Sequence, residues 1–344
     1  MRVVAIAGAK GGVGKSAAAV NLAFLSAASG SRTLLWDLDP QGAATHCYRM
    51  RSRVKGGASR LLGGKRDLQG FARSTEFDRL DVLPADGSFR VVDTVLGTRR
   101  WPERVIRKLV RPLDRSYDVV VLDCAPGLGV VTEAVVAASD MVLAPIVPAP
   151  LAVRSLDQLA DFVQEQRPGL PVVAFLSMVD ERKVLHRQML DQVRSDRRFA
   201  LTAVPVSSAV ERMGLEQVPA VLASPRNLAA AAYRHLWAEV AERLGLEVDP
   251  AALLGALSDQ RVAVAPTPAA DPEEPDGATP AVEAMPAVDP EEPVGATPAA
   301  DPIPAVDPMP ASEPSRAEPT PVVDRDEPVD PFAGWFSDPQ PPEA

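Results

Sequence analysis

Residues 8–16 read Gly-Ala-Lys-Gly-Gly-Val-Gly-Lys-Ser. They follow an apolar run at residues 3–7 that predicts a buried strand, and they precede an alanine-rich stretch at 17–28 that predicts a helix. A strand, a glycine-rich loop and a helix in this order are the context of a phosphate-binding loop. Glycines let the backbone approach phosphate oxygens closely, and amide groups at a helix N-terminus point at the anion. The segment therefore predicts a site for the phosphates of a nucleotide.

The two lysines of this loop have different predicted tasks. Lys15 supplies a cation to the β- and γ-phosphates, and the hydroxyl of Ser16, which follows it, is placed to bind Mg²⁺. The loop departs from the usual spacing, because Ala9 stands where a glycine is expected and Lys10 precedes the paired glycines. One lysine suffices for one nucleotide, so we expect Lys10 to point away from its own phosphates and to reach a nucleotide on another subunit.

A second motif ends the next predicted strand. Residues 33–37 are followed by Leu-Asp-Pro-Gln-Gly at 38–42, so that two carboxylates, Asp37 and Asp39, fall at the carboxyl end of the strand. A carboxylate that faces the phosphate loop from this position can orient a water molecule for in-line attack. Taken alone, the Asp-Pro pair could instead mark an ordinary turn at the end of a strand, with no role in hydrolysis.

A third apolar strand, at residues 117–122, ends at Asp123. An acid after such a run has the Walker B pattern, in which the carboxylate holds Mg²⁺ directly or through water. Together the three motifs resemble those of the ParA/MinD family of deviant Walker A ATPases, and the resemblance covers about residues 1–245. It implies that Lys10 crosses a dimer interface to the partner's ATP, that Asp39 is the hydrolysis residue, and that Asp37 lies near the Mg²⁺ shell.

The resemblance also extends to two later segments that lie around the adenine in this family. One is Phe175–Arg182 and the other is Ser224–Asn227. The ATP-binding residues that we predict are Lys10, Gly11, Gly12, Val13, Gly14, Lys15, Ser16, Ala17, Met178 and Pro225. The predicted Mg²⁺-binding residues are Ser16, Asp37 and Asp123, and the predicted catalytic residues are Lys10 and Asp39.

Strand-like and helix-like runs alternate through the first 250 residues, which predicts an α/β fold, here that of a P-loop NTPase, with a mostly parallel twisted sheet and helices on both faces. Ligands of such sheets bind at the carboxyl ends of the strands. The predicted strands lie near 2–7, 33–37, 80–84, 118–122, 141–145, 171–176 and 201–204. The predicted helices lie near 16–28, 102–111, 128–138, 152–166, 184–194 and 226–244.

Composition divides the chain at about residue 250. Residues 261–344 hold 21 of the 35 prolines and carry a net charge of −15, whereas residues 1–260 carry +5. A segment this polar buries too little apolar surface to offset the conformational entropy that it would lose on folding. Proline at this density also prevents helices and sheets from forming. We therefore predict an ATPase domain at 1–250 and a disordered acidic tail at 251–344. The aromatic residues near 329–338 indicate a short docking peptide or an incidental cluster.

Two basic sets indicate non-specific binding to DNA phosphates, with ordinary solvated faces as the alternative. They are Arg49, Arg51, Arg53, Lys55, Arg60, Lys65 and Arg66, and Arg104, Arg107, Lys108 and Arg111. The family often has DNA-binding basic residues where this chain has Val206 and Leu228, which weakens the expectation of DNA binding. The chain has no apolar run of 18 residues to span a membrane, and its two cysteines and three histidines form no disulfide or metal pattern. We expect a cytoplasmic protein, associated with the nucleoid if it binds DNA.

These features predict a Mg²⁺-dependent ATPase that forms an ATP-dependent homodimer and positions a cargo, either DNA or a protein assembly. Its hydrolysis is expected to be slow alone and stimulated by a ParB-like or other adaptor protein. One alternative is a nucleotide-gated scaffold that recruits partners and binds DNA little. Another is an ATP-dependent ligase related to amide-forming enzymes, which requires a second catalytic domain.

Overall fold

The computed structural model describes residues 1–63 and 68–259 of the 344-residue chain. The strands are β1 (Arg2–Ile6), β2 (Thr33–Asp37), β3 (Arg73–Ser74), β4 (Leu80–Leu83), β5 (Val119–Asp123), β6 (Met141–Ile146) and β7 (Val172–Leu176). The helices are α1 (Lys15–Ala28), α2 (Ala43–Cys47), α3 (Gly57–Leu62), α4 (Val92–Gly97), α5 (Glu103–Val110), α6 (Val130–Ala138), α7 (Ala152–Gln166), α8 (Val184–Val193), α9 (Ser208–Glu211), α10 (Met213–Glu216), α11 (Ala220–Ala223), α12 (Leu228–Leu244) and α13 (Pro250–Asp259).

The seven strands form one sheet in the order β3-β4-β2-β5-β1-β6-β7. Strand β3 runs antiparallel to β4, and every other neighbouring pair is parallel. Strands β2 and β5 are buried along their whole length. Central strands of a parallel sheet read as continuous apolar runs because helices cover both faces. The predicted mostly parallel α/β sheet is confirmed.

Successive side chains of the strands enter two different apolar layers. In β1, Val3 and Ala5 pack with α5, α6 and α7, whereas Val4 and Ile6 pack with α1 and α12. Six predicted helices are confirmed to within two residues at each end, namely α1, α5, α6, α7, α8 and α12. Helix α12 begins where the Asn227 side chain accepts a hydrogen bond from the Ala229 amide. A capping side chain of this kind fixes the start of a helix.

The strand predicted near 201–204 is wrong. The segment lies beside β7 and forms backbone hydrogen bonds with it at both ends, but the backbone amides between those ends bond to a different element. The backbone amides of Leu201 and Thr202 donate to the Glu239 carboxylate of α12, at 2.8 and 2.9 Å. Because a carboxylate takes both amides, they cannot join a ladder with β7. The apolar pattern of the segment favoured a strand, and a distant side chain prevented one.

Helix α13 lies beyond the predicted domain boundary at residue 250. Its residue Leu257 is buried in the layer that contains α1 and α12. Helical structure therefore continues nine residues into the segment that the sequence analysis assigned to the tail. The remainder of that tail, with the predicted docking peptide near 329–338, lies outside the described residues, as do Lys65 and Arg66. In residues 1–63 and 68–259, no helix is both long and apolar enough to cross a membrane.

Candidate nucleotide-binding site

The predicted site residues meet at one edge of the sheet. Strand β5 lies between β1 and β2, and Asp123, its last residue, pairs with Ile6 on one side and with Asp37 on the other. The phosphate loop follows β1 directly and ends at the N-terminus of α1. Parallel strands bring their carboxyl ends to the same edge, so the glycine-rich loop and the acidic residues converge there.

The backbone of the phosphate loop requires glycine at two positions. Gly12 and Gly14 have φ angles of 71° and 95°, in the left-handed region that L side chains rarely adopt. A Cβ atom at Gly14 would lie 2.9 Å from the Ser177 Oγ atom, closer than real contacts allow. Gly14 also begins α1, since its carbonyl accepts the Ala18 amide. The loop thus passes close to β7 and presents helix amides to the site.

Lys15 is buried behind the loop. Its Nζ atom donates to the Lys10 carbonyl at 2.8 Å, which holds the ammonium under the glycines. Burial lowers the pKa of Lys15, and the nearby Asp123 carboxylate partly opposes this shift. A desolvated cation beneath a cradle of amides attracts phosphate oxygens strongly, because few water molecules compete for it. Its position fits the predicted phosphate contact.

Lys10 has the opposite environment. Its side chain is exposed, and its ammonium has no hydrogen-bond or ion-pair partner among the described residues. A cavity of about 230 Å³ lies beside it, lined by Gly8–Val13, by Pro145–Val147 and by the start of α7. The loop therefore carries one lysine that is buried toward its own phosphates and one that extends into open space.

Asp123 is the group whose environment points most directly to a cation. It is fully buried, and neither carboxylate oxygen has a hydrogen-bond partner among the residues that the structure describes. The Ser16 hydroxyl lies near enough to lower the pKa of this carboxyl but does not reach hydrogen-bond geometry with either oxygen. Buried carboxylates are normally paired, and an oxygen-only donor set suits Mg²⁺. Ser16 and Asp123 therefore fit the predicted Mg²⁺, whose protein ligands they would supply.

Replacing Asp123 with Asn is expected to raise the melting temperature of the nucleotide-free protein near neutral pH and to remove the Mg²⁺-dependent part of its stabilisation by ATP. Burial raises the pKa of Asp123 well above its ordinary 3.8, so its charge destabilises the fold increasingly as pH rises above that value. Thermal-shift measurements with and without Mg²⁺·ATP test both effects.

Asp118→Asn is the matched control for this test. Arg32 donates to Asp118 and holds its pKa at about 2, so its charge stabilises the fold. The control should therefore melt slightly lower than the unmodified protein. If Asp123→Asn lowered the melting temperature in the same way, the carboxylate would not be an uncompensated charge.

Asp37 and Asp39 lie in different surroundings. Asp37 is fully buried, and burial raises its pKa to about 6, although hydrogen bonds from Thr45 oppose the shift. Its Oδ2 atom accepts from the Thr45 amide and hydroxyl, and its Oδ1 atom accepts from the Asp39 amide. Because a carboxylate oxygen can accept two hydrogen bonds, Oδ1 retains one acceptor position, through which Asp37 could contribute to the surroundings of a bound Mg²⁺. Asp39 is half-buried, and its carboxylate lies near enough to Lys15 and Asp123 to influence the pKa of both. Its Oδ1 atom accepts from the Gln41 amide, and its Oδ2 atom has no partner among the described residues.

The two predicted adenine contacts are placed differently. Met178 has a φ angle of 55°, a strained conformation for a non-glycine residue, and it lines a cavity of about 50 Å³ with Gly14 and Ala17. Strained backbone of this kind clusters at binding sites. Pro225 is not among the residues that line this cavity. The loop that contains Pro225 is nevertheless connected to the cavity by a hydrogen bond. Ser207 lines the cavity, and its hydroxyl donates to the side chain of Asn227.

Three of the four cations of the second basic set lie on α5, where Arg104, Arg107 and Lys108 are exposed and Ile106 is buried. Arg111 is also exposed, but it follows the end of α5. Trp101 was not predicted from the sequence. It is half exposed beneath two guanidinium groups, those of Arg104 at 4.6 Å and Arg100 at 5.6 Å from the ring centroid. The Arg-Arg-Trp run at 99–101 was the available signal. In the other basic set, Arg49 is paired with Glu76 at 3.5 Å.

Comparison with known proteins agrees with this geometry. A family model described as an AAA domain matches residues 1–169. The chromosome partitioning protein ParA of Myxococcus xanthus is 34% identical over 199 residues, which cover 56% of this chain and 70% of that protein. The chromosome-partitioning ATPase Soj of Thermus thermophilus is 32% identical over 251 residues, which cover 71% of this chain and 97% of that protein.

A solved structure has the same fold. It is a variant of McdA from Cyanothece in complex with ATP, with a TM-score of 0.63 at 17% identity, covering 72% of this chain and 97% of that one. At this identity the likeness shows the fold alone. The assignment is carried by the two sequence relatives, each matched over most of its own length. The chain belongs to the ParA/MinD family of P-loop ATPases.

Proposed function

We propose that this protein is a Mg²⁺-dependent ATPase that dimerises around two ATP molecules and positions a cellular cargo, with hydrolysis to ADP resetting the dimer. One observation carries the proposal. The phosphate loop holds a buried Lys15 for its own nucleotide and an exposed Lys10 whose ammonium has no partner among the described residues. A second cation at this position gains a partner when another subunit brings its own nucleotide.

Each residue of the site has one role in this proposal. Lys15 and the loop amides bind the phosphates. Ser16 and Asp123 would hold Mg²⁺, which would supply positive charge against the phosphates. Asp39 orients the attacking water through the carboxylate oxygen that Gln41 leaves unbonded. Lys10 contacts the nucleotide of the partner subunit. Because phosphoryl transfer depends on positioning and charge stabilisation, these roles suffice for hydrolysis.

The cargo is DNA or a protein assembly, and the relatives named above are chromosome-partitioning proteins. The exposed cations of α5 favour non-specific binding to DNA phosphates. An adaptor of the ParB type would then stimulate hydrolysis, and the protein would work in the cytoplasm on the nucleoid.

A second candidate, a nucleotide-gated scaffold with little DNA affinity, is favoured by Val206 and Leu228. These apolar side chains are 47% and 78% exposed where the family often has basic residues. The hydrogen bond between Ser207 and Asn227 joins the two segments that carry them. Filter binding of DNA with ATP, across salt concentrations, separates the two candidates. Salt-sensitive binding supports DNA as cargo, and its absence supports the scaffold.

Lys10→Ala is expected to leave ATP binding intact and to weaken the ATP-dependent dimer by about tenfold or more, because a charge-assisted hydrogen bond contributes about 1.5–3 kcal/mol. Light scattering on the Asp39→Ala background, in which ATP is not consumed, measures the dimer fraction against protein concentration. Lys108→Ala, on the exposed face of α5, is the matched control and should dimerise normally. An unchanged dimer in the Lys10→Ala double variant would remove the proposed role of this lysine in trans.

A further inference from the structure

The carboxylate of Asp37 is occupied by protein donors. Its Oδ2 atom accepts two hydrogen bonds from Thr45, from the amide at 2.8 Å and from the hydroxyl at 2.7 Å. Its Oδ1 atom accepts the Asp39 amide at 3.1 Å. Asp37 and Thr45 are both fully buried. Three donors from the chain hold this carboxylate in one orientation and join the end of β2 to α2.

The Thr45 hydroxyl extends this network to a third element. While it donates to Asp37, its Oγ1 atom accepts the Ala85 amide at 2.9 Å. Ala85 follows β4, the neighbour of β2 in the sheet. A hydroxyl can donate and accept at once, whereas an aliphatic side chain of the same shape can do neither. The Thr45 hydroxyl therefore donates one hydrogen bond and accepts another, at a position that water does not reach.

The turn held by this network is the one that carries Asp39. The Asp39 amide is fixed by Asp37 at one end, and the Asp39 carbonyl accepts the Gly42 amide at 2.9 Å at the other. Gly42 has a left-handed φ of 63° and immediately precedes α2, which contains Thr45. The backbone position of Asp39 thus depends on the Asp37–Thr45 contact, although Thr45 is too deeply buried to touch a nucleotide.

We infer that Thr45 is a positioning residue for hydrolysis, which acts through Asp37 to hold the Asp39 turn where its carboxylate can orient the attacking water. The inference rests on the proposed function. It concerns the hydrolysis step and leaves nucleotide binding to the phosphate loop. Displacing a catalytic group by about 1 Å costs roughly 100-fold in rate, so a buried hydroxyl far from the phosphates can govern turnover.

Thr45→Val and Thr45→Ser test the inference in the full-length chain. Valine keeps the shape and the amide bond but removes the hydroxyl, and serine retains the hydroxyl. We expect Thr45→Val to lower the single-turnover rate of ATP hydrolysis roughly tenfold or more, with ATP affinity changed less than about twofold, and Thr45→Ser to restore most of the rate. Hydrogen exchange should quicken at the amides of Asp39, Gln41 and Gly42 in Thr45→Val alone.

Thr33→Val is the matched control. Thr33 is also fully buried in β2, and its hydroxyl bonds to Ser26 at 2.8 Å, at the strand end away from the site. This variant should lose comparable stability and keep the unmodified rate. Equal rates in Thr45→Val and Thr33→Val, or unchanged exchange at residues 39–42, would overturn the inference. If the unmodified protein binds or hydrolyses no ATP, the proposed function fails, and the exchange measurement still decides whether Thr45 holds this turn.

Discussion

Lys15→Ala should abolish ATP binding, with an affinity at least about 100-fold lower, because it removes the buried ammonium that meets the phosphates. The fold should survive the change, since the buried charge is itself disfavoured by desolvation, which lowers the pKa of Lys15. Titration with a fluorescent ATP analogue measures the affinity, and a melting curve checks the fold.

Lys10→Ala is the control for this variant within the same loop, and it should bind the analogue as the unmodified protein does. Normal binding by a folded Lys15→Ala protein would mean that residues 8–16 do not hold the phosphates. Loss of binding in both variants would mean that Lys10 serves its own nucleotide and would contradict its proposed role in trans.

Asp39→Ala should bind ATP normally and lose turnover by roughly 100-fold or more, because the phosphates are held by the loop and the water is oriented by this carboxylate. Asp39→Asn is the matched variant. It keeps an oxygen for the Gln41 amide, so the turn is retained while the charge is lost. Single-turnover hydrolysis on both variants separates the two contributions.

If Asp39→Asn hydrolysed ATP at the unmodified rate, only the turn, and not the carboxylate charge, would matter. If Asp39→Ala did so too, the residue would have no role in hydrolysis. Weakened ATP binding in Asp39→Ala would instead indicate that the turn supports the phosphate loop.

The sheet and the edge that carries the site could be predicted from the sequence because the signals are local. The apolar runs of β1, β2 and β5 each end at a functional segment, and parallel pairing then brings those ends together, as in the pairing of Asp37 with Asp123. The pairing follows from the fold class, so the sequence predicted which residues meet without any knowledge of side-chain geometry.

Features set by distant side chains could not be predicted in this way. The segment near 201–204 has a strand-like pattern, yet Glu239 takes its amides from another helix. Thr45 was missed because its hydroxyl connects Asp37 of β2 with Ala85, and Ala85 lies 40 residues from Thr45 along the chain. The short helices α9, α10 and α11 are too brief for a helical period to appear.

We propose that ATP joins two copies of this chain through the phosphate loop. Light scattering on the Asp39→Ala protein measures its mass directly, without nucleotide, with ADP and with ATP, each in the presence of Mg²⁺. We expect the mass of one chain without nucleotide and with ADP, and twice that mass with ATP. A single-chain mass at saturating ATP, in a protein that binds ATP normally, would contradict it.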